Sequence, residues 1–339
     1  MKLIKSKFNP ILSPNPQNHW ENLVVCNPGV WYEKGNFFML YRAAGNDKEH
    51  VIRFGLAISN DGFHFNRASD EPAFGPSFDG EDAGCIEDAR IVKFDDYYYV
   101  TYAFRPCAPG QYWNFSHDEV VVKDFGENAP LFLKNNLANT ALAMTKDFKN
   151  WIRLGRITKP NLDDRDVILF PEKINGKYVM LHRPKEWIGE KYGPKGPAIW
   201  LQYSNDLLVW DEPSQLLIQG KENSWEEKVG GSAPPLKTDK GWLVLYHGVD
   251  KGGLGYYRVG AMMLDLKNPE IILGRTKDFI LEPELDFEFN GFYNGCVFPT
   301  GNVIVDDTLY VYYGGADKYV GVATANVNEL VDYILTQRP

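Results

Sequence analysis

The chain has 339 residues and a formal net charge of -9, with an isoelectric point near 5.3, and this acidic balance excludes the basic face that binding to a nucleic-acid backbone requires. Its 31 glycines, 21 prolines and 14% aromatic residues disfavour a helical bundle and favour a turn-rich, all-β architecture. No stretch approaches the roughly 18 uninterrupted apolar residues of a membrane span, so no membrane partner is expected.

The N-terminus, Met1 to Lys7, has a basic start but no apolar core of a leader. A cytoplasmic location is therefore expected, or a periplasmic one if a leader has been removed. Cys26, Cys85, Cys107 and Cys296 lie far apart with no C-x-x-C spacing, which suggests free thiols rather than a zinc site or a disulfide framework. The six histidines are scattered and no glycine-rich phosphate loop occurs. No metal or organic cofactor is expected.

Along the chain one pattern recurs five times: an aromatic-rich strand ending in Tyr or His, then a second strand after a variable loop. The first strands are expected at 37–42, 98–103, 178–183, 242–247 and 309–314, and their partners at 54–59, 140–145, 198–203, 259–264 and 320–325. Three partners run into an Asp turn, at Asp61, Asp147 and Asp206, followed by a further short strand. Five such units predict a single five-bladed β-propeller spanning residues 1–339, because radial antiparallel sheets protect their edges and leave a central channel. A β-sandwich with coincidental hairpins is the alternative. The long gap at 105–139, with Tyr112 and Trp113, reads as an ordered lid over the channel mouth. Residues 189–196 form a second loop, and 326–336 a short C-terminal helix.

Chemistry is expected where polar residues follow the first strands, at Arg42, Arg183, His247 and Asp317, one per repeat, which should converge. The block from Gly84 to Ile91 sets Glu87, Asp88 and Arg90 side by side ahead of a β-like run. Asp88 is the candidate proton donor, expected as an exposed acid at a strand entrance, with a structural pairing to Arg90 as the alternative.

Several blocks in order along the chain, among them Asn27-Pro28-Gly29, Glu87-Asp88-Ala89-Arg90, Leu181-His182-Arg183-Pro184, Gly230-Gly231-Ser232-Ala233-Pro234-Pro235 and Tyr312-Tyr313-Gly314-Gly315-Ala316-Asp317, resemble the signature blocks of glycoside hydrolase family 130. The resemblance implies a five-bladed propeller acting on β-mannosides, either as an inverting phosphorylase or, in a smaller branch, as a hydrolase of β-1,2-mannosides. It places the general acid at Asp88, acting directly or through a sugar hydroxyl. Asn27, Arg42, Arg53 and Asp317 would hold the non-reducing mannose of a manno-oligosaccharide. Arg165, Arg183 and His247, with Lys228 nearby, would hold phosphate.

An inverting hydrolase instead needs a carboxylate base about 6.5–9.5 Å from the acid. Glu186 and Glu227 resemble the paired glutamates of the hydrolytic branch, so terminal β-mannoside hydrolysis is the leading expectation, with Tyr112, Trp113 and Trp187 stacking on sugar rings. The alternatives are phosphorolysis, with inorganic phosphate as co-substrate, and a non-catalytic glycan-binding propeller.

Overall fold

Short runs rich in Val, Ile, Tyr and Phe, closed by Asp, Asn or Gly turns, pair as antiparallel strands. The computed structural model describes residues 1–111 and 124–337, and arranges them as five sheets taken in turn along the chain. Their innermost strands are Val24–Glu33, Cys85–Phe94, Asp164–Leu169, Lys228–Gly231 and Val297–Val305. Outside each lie two further strands and an edge strand. In the fifth sheet that edge is Ile4–Lys5, antiparallel to Tyr319–Asn326, so the two ends of the chain share one blade and close the ring. The architecture is the five-bladed β-propeller implied by the repeat.

The blades are glued pairwise. Five apolar clusters each draw from two neighbouring blades, such as Leu40 and Phe54 against Ile86 and Val100, or Val92 and Leu142 against Val167 and Met180. The C-terminal helix Val327–Leu335 is capped by Asn326, whose side chain accepts from the Glu329 N–H. It packs Leu330, Val331 and Ile334 onto the cluster between the last two blades.

The sequence repeat began one strand too late. The strands recognised by their aromatics are the second of each blade, Asn36–Ala44, Tyr97–Arg105, Tyr178–Pro184, Gly241–Val249 and Thr308–Gly315. The innermost strands escape a pattern search because bulges interrupt four of them, between Cys26 and Gly29, Glu87 and Arg90, Arg165 and Ile168, and Pro299 and Gly301. In three of these the bulge holds Asn27, Asp88 or Asp166 in the left-handed region, at φ 41°, 61° and 59°, a conformation that Asn and Asp tolerate better than other residues with a Cβ.

The Tyr-or-His position of the repeat has a structural cause. Tyr41 donates to Glu21 at 2.9 Å, Tyr102 to Asp82 at 2.9 Å, Tyr246 to Glu226 at 2.7 Å and Tyr313 to Glu288 at 2.7 Å. In the third blade His182 bonds Asp164 at 2.8 Å. Every acid is buried and precedes or opens an innermost strand. In four blades a cation from the edge strand completes the clamp: Arg67, Arg153, Arg275 and Lys5. In the third, Ser214, next to the edge strand, takes that place against His182 at 3.0 Å. Gly55, Gly260 and Gly321 stand opposite Tyr41, Tyr246 and Tyr313 in the ladder, and a Cβ at any of them would overlap the tyrosine ring.

Each clamp thus ties the innermost layer of a blade to its rim, through a buried carboxylate in four blades and through His182 between Asp164 and Ser214 in the third. Removing the hydroxyl leaves a buried charge with one partner fewer. Tyr41→Phe and Tyr246→Phe are each expected to cost about 1–3 kcal/mol, seen in urea unfolding as a lower midpoint with an unchanged slope, whereas Tyr97→Phe, outside the clamps, should shift it little.

Candidate active site

A cavity of about 460 Å³ opens at the hub where the innermost strands and the ends of the second strands converge. The clamps aim part of its lining. Tyr41, His182 and Tyr246 are each followed by a residue that strand alternation turns to the other face: Arg42, Arg183 and His247, all of which line the cavity.

One side of the lining, from the first, second and fifth blades, is acidic. Asp88 accepts from Asn27 Nδ2 at 2.8 Å and from Arg42 Nη1 at 3.1 Å, both on Oδ1; among the described residues Oδ2 has no hydrogen-bond partner. The same Arg42 nitrogen lies 3.1 Å from Glu87 Oε2. Burial pushes the Asp88 carboxyl above the usual carboxylate range; Arg42 opposes this and the neighbouring Glu87 charge adds to it. Burial also acts on Glu87, but Arg42, Arg105 and Arg165 outweigh it and hold that carboxyl below its ordinary value. Adjacent carboxyls are thereby driven in opposite directions, the kind of separation on which acid–base chemistry by paired carboxyls depends. Asp317 is raised by burial, against Arg42 and with Asp88 and Glu87.

The other side, from the third and fourth blades, is cationic. Arg165, Arg183 and Lys228 line it. Burial lowers the Lys228 ammonium to about 8, helped by the charge on Arg183. Burial likewise lowers His247 to about 3, opposed by Asp166, so the imidazole is neutral at physiological pH. Beneath them Asp166 accepts from Arg183 Nε at 2.6 Å and from Arg90 Nη2 at 3.3 Å. Arg90 also donates to the Ser232 carbonyl at 2.7 Å and the Asp88 carbonyl at 2.9 Å, so it ties the second innermost strand to the third and to the end of the fourth, and leaves the Asp88 carboxylate to Asn27 and Arg42.

Comparison with known proteins follows the same lines. The sequence profile of glycoside hydrolase family 130, described as beta-1,4-mannooligosaccharide phosphorylase, matches residues 5–135 and 133–336. The chain belongs to glycoside hydrolase family 130. Within that family it is 36% identical to a 1,2-beta-oligomannan phosphorylase of Thermoanaerobacter sp. (strain X514) over 97% of this chain and 99% of that one. It is 37% identical to a beta-1,2-mannobiose phosphorylase of the same organism over 95% and 96%. The solved beta-1,2-mannobiose phosphorylase from Listeria innocua, in complex with beta-1,2-mannobiose, superposes with a TM-score of 0.78 at 28% identity, covering 99% of this chain and 100% of that one. Like its family, the chain is an enzyme acting on β-mannosides.

The structure brings Asp88, Asn27, Arg42, Arg165, Arg183, His247 and Asp317 to one cavity. Asp88 itself is not an exposed acid at a strand entrance but sits in a bulge inside Cys85–Phe94, with its side chain 14% exposed. Other residues picked from the sequence lie elsewhere. Glu186 is exposed outside the cavity. Glu227 lines a separate surface pocket with Lys195 and Lys251, and its carboxylate is capped by the N–H groups of Asn223, Lys251 and Gly252. Those bonds hold it below the ordinary carboxylate range.

Arg53 donates to the Val51 carbonyl at 2.9 Å and does not reach the cavity lining. Trp187 stacks on Tyr192 and meets Trp200 edge-on, serving its own loop rather than the hub. Tyr112 and Trp113 lie outside the described residues. The described ends of their excursion do reach the hub: Pro109 and Asn136 line it, and Gly110 N–H is bonded to the Glu49 carbonyl at 2.9 Å.

Sequence reasoning missed Asp166 and Arg105. Both had a signal. Asp166 occupies the same bulge position as Asn27 and Asp88, and Arg105 ends the second strand of its blade as Arg42 and Arg183 nearly do.

A cationic wall holding an ammonium near 8 has a measurable consequence. Lys228 carries charge below that value and loses it above, so affinity for sulfate, which does not itself titrate there, should fall up to about ten-fold between roughly pH 7 and pH 9 at low salt. Titration calorimetry checks this, and Lys228→Met should bind sulfate more weakly and with a flat pH profile.

Proposed function

We propose that this enzyme is an inverting phosphorylase that cleaves terminal β-mannosides of manno-oligosaccharides, β-1,2-linked ones foremost, with inorganic phosphate. The observation that carries the reading is the convergence of Arg165, Arg183 and Lys228 on the cavity that holds Asp88, with guanidinium N–H groups left over after their own carboxylates are served. Such a cluster binds a tetrahedral dianion well. The phosphorylase descriptions of the family profile and of both Thermoanaerobacter relatives support it. The β-1,2 linkage rests on those relatives alone.

In the proposed step the terminal mannose lies between the two walls, held by Asn27, Arg42 and Asp317. A phosphate oxygen on the Arg165, Arg183 and Lys228 side attacks the anomeric carbon as the bond to the glycosidic oxygen breaks. That oxygen takes the proton of Asp88, directly or through a sugar hydroxyl, and the products are α-mannose 1-phosphate and the shortened acceptor. Arg42 then stabilises the carboxylate left on Asp88, and Glu87, already ionised, keeps Asp88 basic enough to be reprotonated. Neutral His247 contributes a hydrogen bond rather than a charge.

The hydrolytic expectation lacks its base. Glu186 and Glu227 do not line the cavity, and the carboxylate that does line it among the cations, Asp166, is paired with Arg90 and Arg183. An inverting hydrolase would thus lack, among the described residues, a free carboxylate on that side to act as its base.

Incubation with β-1,2- and β-1,4-mannobiose, with and without phosphate, tests the reading. Mannose 1-phosphate should form only with phosphate, and free mannose released at equal rate without it would defeat the proposal. Asp88→Asn should lower kcat by about 10²-fold or more, while Glu186→Gln and Glu227→Gln keep near-normal rates.

A further inference from the structure

The third innermost strand is entered through Asp163-Asp164-Arg165-Asp166, three carboxylates in four residues beside the cationic wall of the cavity. Coulomb's law alone makes this a poor place for acids, since each repels a bound phosphate. Their contacts give the reason. Asp163 takes Arg165 Nε at 2.8 Å and Nη2 at 3.0 Å, a two-bond clasp that leaves Nη1 over. Asp166 takes Arg183 only by Nε, at 2.6 Å, leaving both terminal nitrogens without a partner among the described residues. Asp164 accepts the Arg183 main-chain N–H at 3.1 Å while its other oxygen serves the His182 clamp.

We infer that Asp163 and Asp166 are positioning residues that aim the guanidinium groups of Arg165 and Arg183 into the cavity. The inference rests on the phosphate reading above. A free arginine side chain samples many rotamers, and fixing two of them before the anion arrives removes that ordering cost from binding. The clasp is specific to a carboxylate. An asparagine in place of Asp163 offers one acceptor and turns an NH₂ group towards the second guanidinium N–H. At Asp166 it would do the same to Arg183 or to Arg90.

The sign of the effect separates positioning from charge. Neutralising an acid beside an anion site strengthens anion binding if electrostatics alone matters, and weakens it if the acid holds the arginine in place. Asp163→Asn and Asp166→Asn in the full chain are expected to raise the KM for phosphate by about ten-fold or more, with the KM for mannobiose unchanged and phosphate affinity by calorimetry falling in step. Unchanged or tighter phosphate binding in Asp163→Asn overturns the inference. Asp163→Asn carries the test alone should Asp166→Asn unfold at lower temperature, because Arg165 is partly exposed and the Asp163 clasp lies at the strand start. If the parent enzyme neither binds phosphate nor depends on it, the proposed function itself fails, and that result is distinct from normal phosphate dependence with indifferent variants.

Discussion

A buried carboxylate that can be satisfied only by partners from both the inside and the outside of a blade is the constraint on which this propeller rests. Glu21, Asp82, Asp164, Glu226 and Glu288 each meet it with the same position of the second strand. An unpaired charge there would cost several kcal/mol, so a blade whose edge strand is displaced has no cheap alternative. Apolar contacts between blades supply most of the cohesion. They are tolerant of small slips, whereas the clamp is not. Because a one-residue slip would turn Arg42, Arg183 and His247 away from the hub, the clamp that holds the register also holds the site. The Asp164–His182–Ser214 string resembles a nucleophile relay, yet its place in the repeat marks it as one more clamp.

The hub shows how burial and fixed charge divide labour among like groups. Asp88 and Glu87 are neighbours in sequence and share one arginine, yet they are driven in opposite directions because Glu87 also feels Arg105 and Arg165. Asp166 sits among cations and is held fully ionised. Of the four described carboxyls that line the cavity, Glu87 and Asp166 are held down by nearby guanidinium groups while burial drives Asp88 and Asp317 up.

Much of this was legible in the sequence. The five Tyr-or-His strand ends set the blade count, and the polar residues after them marked four lining residues, Arg42, Arg183, His247 and Asp317. The innermost strands were hidden because their bulges look like loops: Asn27-Pro28-Gly29 has no strand character on its own. Glu227 was misjudged because its capping by the main-chain N–H groups of Asn223, Lys251 and Gly252, two of them from a turn more than twenty residues away, leaves no mark in the local sequence. Glu186 gave no sign either. Its distance from the hub follows from the chain turning outward after Pro184, where Trp187 finds its own aromatic partners. Asp163 and Asp166 escaped notice because their partners Arg165 and Arg183 are fixed by side-chain geometry that the sequence does not display.

The pairing of Ile4–Lys5 with Tyr319–Asn326 places the earliest and latest parts of the chain side by side. During synthesis the first segment leaves the ribosome with nothing to bind, and its partner strand follows more than three hundred residues later. Until then Ile4–Lys5 has no strand to lie against and its amides and carbonyls stay open to any passing strand, so closure of the ring waits on the synthesis of its last sheet.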